Sequence, residues 1–191
     1  MPGDVTQVVA GRNLIIYTEP WAPSNTFPAN TVPWGTTWGG TWEDKGFTRD
    51  GLHVTLTVTR NDVLVDQQVD PVLRIPQSRD IQMQTRLAQI SMPNLSDATG
   101  QGDDAPITGG GTGRELEISG TIIDQWITTG FDILNPGDNR PLRVVGWKGF
   151  ATGDVTLDFT VNDAAQIGYA VAIVPDTSAA PPRIMTFRDI N

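Results

Sequence analysis

From Arg79 to Leu87 the chain alternates strictly, with Ile81, Met83, Thr85 and Leu87 on one parity and Asp80, Gln82, Gln84 and Arg86 on the other. Successive side chains of a strand point to opposite faces, so this run predicts a strand with one buried face. Ile90 and Met92 continue on the opposite parity, and a bulge near Ala88-Gln89 is needed to bring them into the same core. A second run sets Leu52, Val54, Leu56 and Val58 against His53, Thr55, Thr57 and Thr59. It predicts a strand with one buried and one wet face. Asn61-Asp62 reads as a tight turn after it, since both residue types tolerate positive φ. The returning strand then begins at Val63 and Val65 and stops at Asp70-Pro71. Upstream, Gly46 and Gly51 frame Phe47 to Asp50 as a further turn.

Similar patterns recur along the chain. Val5–Val9 and Leu14–Thr18 flank Gly11-Arg12-Asn13 as a first hairpin or strand pair. Leu116 and Ile118 alternate with Glu115 and Glu117, Arg143–Val145 leads through Gly146 to Trp147, and Val155, Leu157, Phe159 and Val161 alternate with polar residues. Gly168–Val174 is almost unbroken apolar sequence, as in a strand buried on both sides. Pro93–Ala98 starts a short helix with proline in its first turn. The prediction is an all-β fold with one short helix, in a single domain spanning residues 1–191.

Three irregular segments interrupt the strands. Residues 19–42 hold four prolines and four tryptophans, Trp21, Trp34, Trp38 and Trp42. The last three have helical spacing, but Gly35, Gly39, Gly40 and the threonines among them oppose a helix, so a long loop or arm is expected. Residues 99–113 are glycine-rich and read as a mobile loop, with Gly102, Asp103, Asp104, Gly109, Gly110 and Gly111 as a candidate assembly loop. Residues 175–191 contain Pro181-Pro182 and then strand-like sequence, the pattern of an exchanged or docking arm.

Composition narrows the possible chemistry. A chain of 191 residues buries roughly 70% of its unfolded surface and needs no covalent staples. With no cysteine, disulfides and thiolate metal sites are excluded. No run looks like an export signal or reaches the ~20 apolar residues of a membrane span, so a soluble chain without its own export signal is expected. The formal charge of −9 opposes an electrostatic grip on DNA, although solubility accounts for such a charge equally well.

The search for a catalytic constellation is unproductive. The single histidine, His53, lies among threonines, and a zinc site needs several ligands. The G-x-S-x-G nucleophile elbow does not occur. Gly109–Gly113 lacks the G-K-[ST] ending of a phosphate loop and leads into Arg114. Asp103-Asp104 could meet calcium through nearby carbonyls, but the spaced acidic ligands of an EF-hand are missing. Glu115 and Glu117 have a spacing compatible with the about 5 to 9.5 Å of paired glycosidase carboxylates, a match any acidic strand offers. Asn94-Leu95-Ser96 is a glycosylation sequon that matters only in a secreted protein. No catalytic residue, metal or cofactor is expected. The tryptophans leave a binding alternative, stacking on sugar rings; core packing or subunit contact is the simpler role, with Trp34, Trp38 and Trp42 as candidate interface aromatics.

One ordered set of segments carries a resemblance. After the lead-in from Pro33 come G-F-T-R-D-G (Gly46–Gly51), a polar/apolar hairpin, V-D-Q-Q-V-D-P-V (Val65–Val72), and a strand ending in L-A-Q-I-S-M-P-N-L (Leu87–Leu95). This stretch, roughly a third of the chain, resembles the major tail tube proteins of long-tailed, non-contractile bacteriophages. Gln89 stands where that family often has an acidic residue. The resemblance implies a β-sandwich or barrel-like domain with a flanking helix, six copies per ring, and rings stacked into a tube through which genomic DNA leaves without specific binding. It implies the tape measure and terminator proteins as partners, assembly in the host cytoplasm, residence in the virion tail and no membrane insertion. Asp66, Asp70, Glu115 and Glu117 are then candidates for an acidic lumen that repels phosphate, and mobile arms would order on neighbouring subunits. The alternatives are a head decoration or tail terminator subunit, and a carbohydrate-binding β-sandwich.

Overall fold

A computed structural model describes residues 13–64, 70–101, 103–107, 113–118, 125–134, 141–152, 155 and 166–190, without the side chains of Asn13, Asp103 and Asp104. Ten strands and one helix follow in the order β1 (Asn13–Pro20), β2 (Glu43–Phe47), β3 (His53–Val63), β4 (Leu73–Leu87), α1 (Met92–Thr99), β5 (Asp103–Pro106), β6 (Arg114–Glu117), β7 (Ile127–Leu134), β8 (Pro141–Ala151), β9 (Ile167–Ile173) and β10 (Met185–Asp189). The main antiparallel sheet runs β2-β1-β7-β8-β9-β4-β3, with β10 added to β8, while β5 and β6 form a separate hairpin. The fold is all-β with one short helix, as the alternating runs predict.

The sheet curls until its path meets itself. Just after β2, Arg49 N donates to Arg86 O at 3.0 Å, and Ala88 N donates to Phe47 O at 3.0 Å. These bonds and the Thr48–Leu87 bridge join the end of β4 to the chain leaving β2. Gly46 and Gly51 bracket this seam with φ of 87° and 75°, left-handed conformations that glycine adopts without a Cβ penalty. Phe47 therefore closes β2 as well as entering the predicted turn.

β1 is buried on both faces. Leu14 and Ile16 join Ile81, Met83, Leu87, Phe131, Val144 and Val171 in one cluster, whereas Ile15 and Tyr17 pack with Trp38, Trp42, Val145 and Trp147 in another. β4 follows its predicted parity, with Ile81, Met83, Thr85 and Leu87 all buried. β9 is nearly continuous buried sequence, also as predicted. The helix begins where Ser91 Oγ accepts the N–H of Asn94 at 3.2 Å, and it ends at left-handed Gly100, whose N–H reaches Ser96 O at 2.9 Å. Side chain and glycine thus satisfy groups that a helix leaves open at its ends. Asn94 itself is buried, its Nδ2 donating to Lys45 O at 3.0 Å and Gln89 O at 2.9 Å. The sequon asparagine is a structural pin.

Several expectations are corrected. Asn61-Asp62 does not turn: β3 continues through it, with Asn61 opposite Ile75 and Asp62 opposite Arg74. Arg74 Nε lies 3.2 Å from Asp62 Oδ1, an ion pair that suits the extended ladder. The returning strand is β4, and residues 65–69 lie outside the described residues. No bulge forms at Ala88-Gln89, because the chain leaves the strand after Leu87 and caps α1; Ile90 is exposed and Met92 opens the helix. The register shift of this hairpin sits between Thr59 and Arg60 instead.

The C-terminal segment is no free arm. β10 pairs with β8 of its own chain from Met185–Gly146 to Asp189–Leu142, and Asp176 and Arg183 exchange backbone bonds of 2.7 and 3.2 Å. β2 and β7 went unpredicted. β2 lies within sequence dominated by tryptophan and glycine, whereas β7 does carry a strand signal, with Ile127, Phe131 and Ile133 on one parity and Thr128, Gly130 and Asp132 on the other. The expected strand at Val5–Val9 and the residues Leu157, Phe159 and Val161 lie outside the described residues.

Candidate assembly surface

Among the described residues β4 pairs with β9 from Ile81 to Leu87, and from Leu73 to Asp80 its one strand partner is β3. The far parts of β3 and β4 therefore project beyond the sheet as a two-stranded ribbon. Eight residues of β4 at ~3.3 Å each give it a length of about 26 Å. Among the described residues β3 pairs with β4 alone, so no other described strand lies along its outer edge. A lone ribbon is marginally stable in water, and an open edge is a template for another strand.

The ribbon carries apolar side chains on both faces. Val54 lies opposite Met83 and Leu56 opposite Ile81, placing each pair on one face. Met83 and Ile81 are buried, yet Val54 and Leu56 are 37% and 57% exposed. The face expected to be buried over Leu52–Val58 is covered in part: Leu52 packs against the core cluster and Val58 is half-buried, while Val54 and Leu56 are left exposed. Toward the tip the apolar character changes faces: Val63 lies opposite Leu73 and Asn61 opposite Ile75. Val63, Leu73 and Ile75 are exposed, as are the flanking Leu64 and Val72. This second patch exists because β3 continues through Asn61-Asp62 without a turn.

The predicted interface aromatics occupy a different place. Trp38 is 1% exposed and Trp42 6%; Trp38 stacks on Tyr17 with centroids 4.5 Å apart and meets Trp42 edge-on at 5.0 Å. Trp34 packs against the same cluster and donates Nε1 to Asp132 O at 3.4 Å. These rings hold residues 21–42 onto β1, β7 and β8: of the two roles expected for the tryptophans, Trp38 and Trp42 take core packing, and the segment is not a free arm. A buried ion pair completes the attachment. Arg143 Nε lies 3.4 Å from Asp132 Oδ1, both side chains fully buried, while the guanidinium also donates to Ala29 O and Val32 O. Burial pushes the Asp132 carboxyl above its ordinary range, against the pull of Arg143.

The predicted acidic residues are divided between elements. Asp70 is exposed beside the ribbon tip, and Glu115 and Glu117 are exposed on β6; Asp66 lies outside the described residues. Asp103 and Asp104 belong to β5, with Asp103 opposite Glu117 and Ala105 opposite Glu115. They lie in a strand, contrary to the loop expected there, while Gly102, Gly109, Gly110 and Gly111 lie outside the described residues. His53 is exposed at the start of β3. Among the described residues no group of three or more His, Asp or Glu could hold a metal ion, and no helix is long and apolar enough to cross a membrane.

No protein-family model matches the chain, and no curated protein matches it in sequence.

Proposed function

We propose that this chain is a structural subunit that assembles with copies of itself into stacked six-membered rings, the tail tube of a long-tailed phage. The observation that carries the proposal is the β3–β4 ribbon, whose outer edge meets no other described strand and which exposes Leu56, Val63, Leu73 and Ile75. Each such side chain gains about 1.5–3 kcal/mol on full burial, and a second copy lying along the ribbon would supply both cover and strand pairing. Closing such contacts into a ring removes the free edges that would otherwise aggregate. The segments that resemble tail tube proteins include the seam at Gly46–Gly51, both strands of the ribbon and the start of α1.

In this reading Asp70, Glu115 and Glu117 are candidates for the lumen, where negative charge lets DNA pass without adhering. The chain performs no catalysis and holds no cofactor; its other partners are the tape measure and terminator proteins of the virion tail. Burial of Trp38 and Trp42 weighs against the sugar-binding alternative, which needs exposed rings. Negative-stain microscopy at rising concentration, with and without other tail proteins as nucleators, tests the proposal. Long tubes of uniform bore are expected. Monomers or single rings under every condition would overturn it in favour of a terminator or decoration subunit.

A further inference from the structure

Phe187 on β10 is 59% exposed, although it lies directly opposite Val144, a buried member of the core. The backbone beside it is open as well. Trp147 N donates to Ile184 O at 3.0 Å and Ile190 N donates to Pro141 O at 3.1 Å, both in the register that sets Met185 opposite Gly146. Hydrogen-bonded and non-hydrogen-bonded positions alternate along an antiparallel ladder. Ile184, Thr186, Arg188 and Ile190 therefore turn their backbone polar groups toward β8, while Met185, Phe187 and Asp189 turn theirs outward. Among the described residues β8 is the one strand that pairs with β10.

The registers show why this edge is open. Ile173 of β9 lies opposite both Gly149 of β8 and Ile81 of β4, and β10 then takes up the place beside β8 from Gly146 to Leu142. In an unbroken sheet, residues 80 to 73 of β4 would run next to β10. Among the described residues they pair with β3 instead and leave the sheet as the ribbon. A head-to-tail ring needs two different patches on every subunit, one for each neighbour, and the ribbon supplies the first. We propose that β10 is the second: the outer edge of β3 in one copy pairs with the outer edge of β10 in the next, and the apolar tip formed by Val63, Leu73 and Ile75 covers Phe187. This acceptor rests on the ring reading above. An added strand satisfies outward N–H and C=O groups in series, and side-chain contacts beside it fix the match. The β5–β6 hairpin also exposes Ile107 and Ile118, but it stands apart from the main sheet, whereas a strand added to β10 extends a sheet already backed by the core.

The chain contains no cysteine, so engineered thiols report contacts without background. Full-length chains carrying Phe187→Cys or Asp189→Cys are mixed with chains carrying Arg60→Cys, Asn61→Cys, Asp62→Cys or Val63→Cys, and oxidised under assembly conditions. A disulfide-linked dimer of two different chains is expected in at least one mixture, since facing residues of paired strands stand close enough to bridge. In parallel, Phe187→Lys, shown to be folded by circular dichroism, should raise the concentration needed for assembly by at least about tenfold. Tubes that give no such cross-link, or normal assembly of folded Phe187→Lys, overturn the acceptor and leave the ring reading standing. Cross-linked chains that never form tubes uphold the acceptor and overturn the tube. Neither assembly nor cross-link at any concentration overturns both.

Discussion

Gly130 and Trp38 share one seat, since a β-carbon on Gly130 would stand 2.3 Å from Trp38 Cζ3 and 3.2 Å from Trp42 Cζ3. The indoles reach the backbone of β7 only because residue 130 has no side chain. This contact makes the Trp/Gly-rich segment a cover for the sheet. Gly130→Ala is expected to lower stability by about 1–3 kcal/mol through overpacking, with a red shift of tryptophan emission. A wild-type urea midpoint would show that the rings move aside freely.

The Asp132–Arg143 pair fastens the same cover from the other strand of the β7–β8 ladder. Asp132→Asn leaves a buried guanidinium without its counter-charge, and a loss of about 3–5 kcal/mol is expected. Replacing both residues, as Asp132→Asn with Arg143→Met, should recover part of that loss. A double variant as unstable as the sum of its single changes would deny the coupling.

Leu73→Lys with Ile75→Lys places two charges on the exposed tip of the ribbon. Both positions are solvent-facing in the subunit, so monomer stability should stay within about 0.5 kcal/mol per change. Tube formation should be abolished. Tubes of normal length from this variant would remove the ribbon tip from the assembly interface.

Acid should loosen the segment that leads into β10. Burial opposes ionisation of Asp176, but hydrogen bonds from Ser178 and Arg183 outweigh it and hold the carboxyl below its ordinary range. The unfolded chain then binds the proton first, so this contribution is present above roughly pH 4 and is lost as the pH falls through the folded value. Asp176→Asn should therefore be less stable than wild type near pH 6, with the gap in urea midpoint narrowing toward about pH 3. A gap that stays constant with pH would assign the effect to packing alone.

Local chemistry settles part of this structure. The alternation of Ile81, Met83, Thr85 and Leu87 sorts them into the core, Ser91 and Gly100 delimit α1, and the apolar run of β9 marks a buried strand. These are choices made within a few residues, by side-chain direction and by capping. Leu52–Val58 shows the same alternation, yet Val54 and Leu56 end exposed while Leu52 packs against the core, because periodicity separates two faces without saying what covers either. Cover comes from distant sequence: Arg143 binds the carbonyls of Ala29 and Val32 across 114 and 111 positions, and Trp38 packs into space left by Gly130. Asn61-Asp62 permits a turn or a ladder, and the ladder with Ile75 and Arg74 prevails. The tertiary structure alone decides which apolar face is enclosed in the subunit and which is left for a partner, because enclosure requires segments remote in sequence to meet.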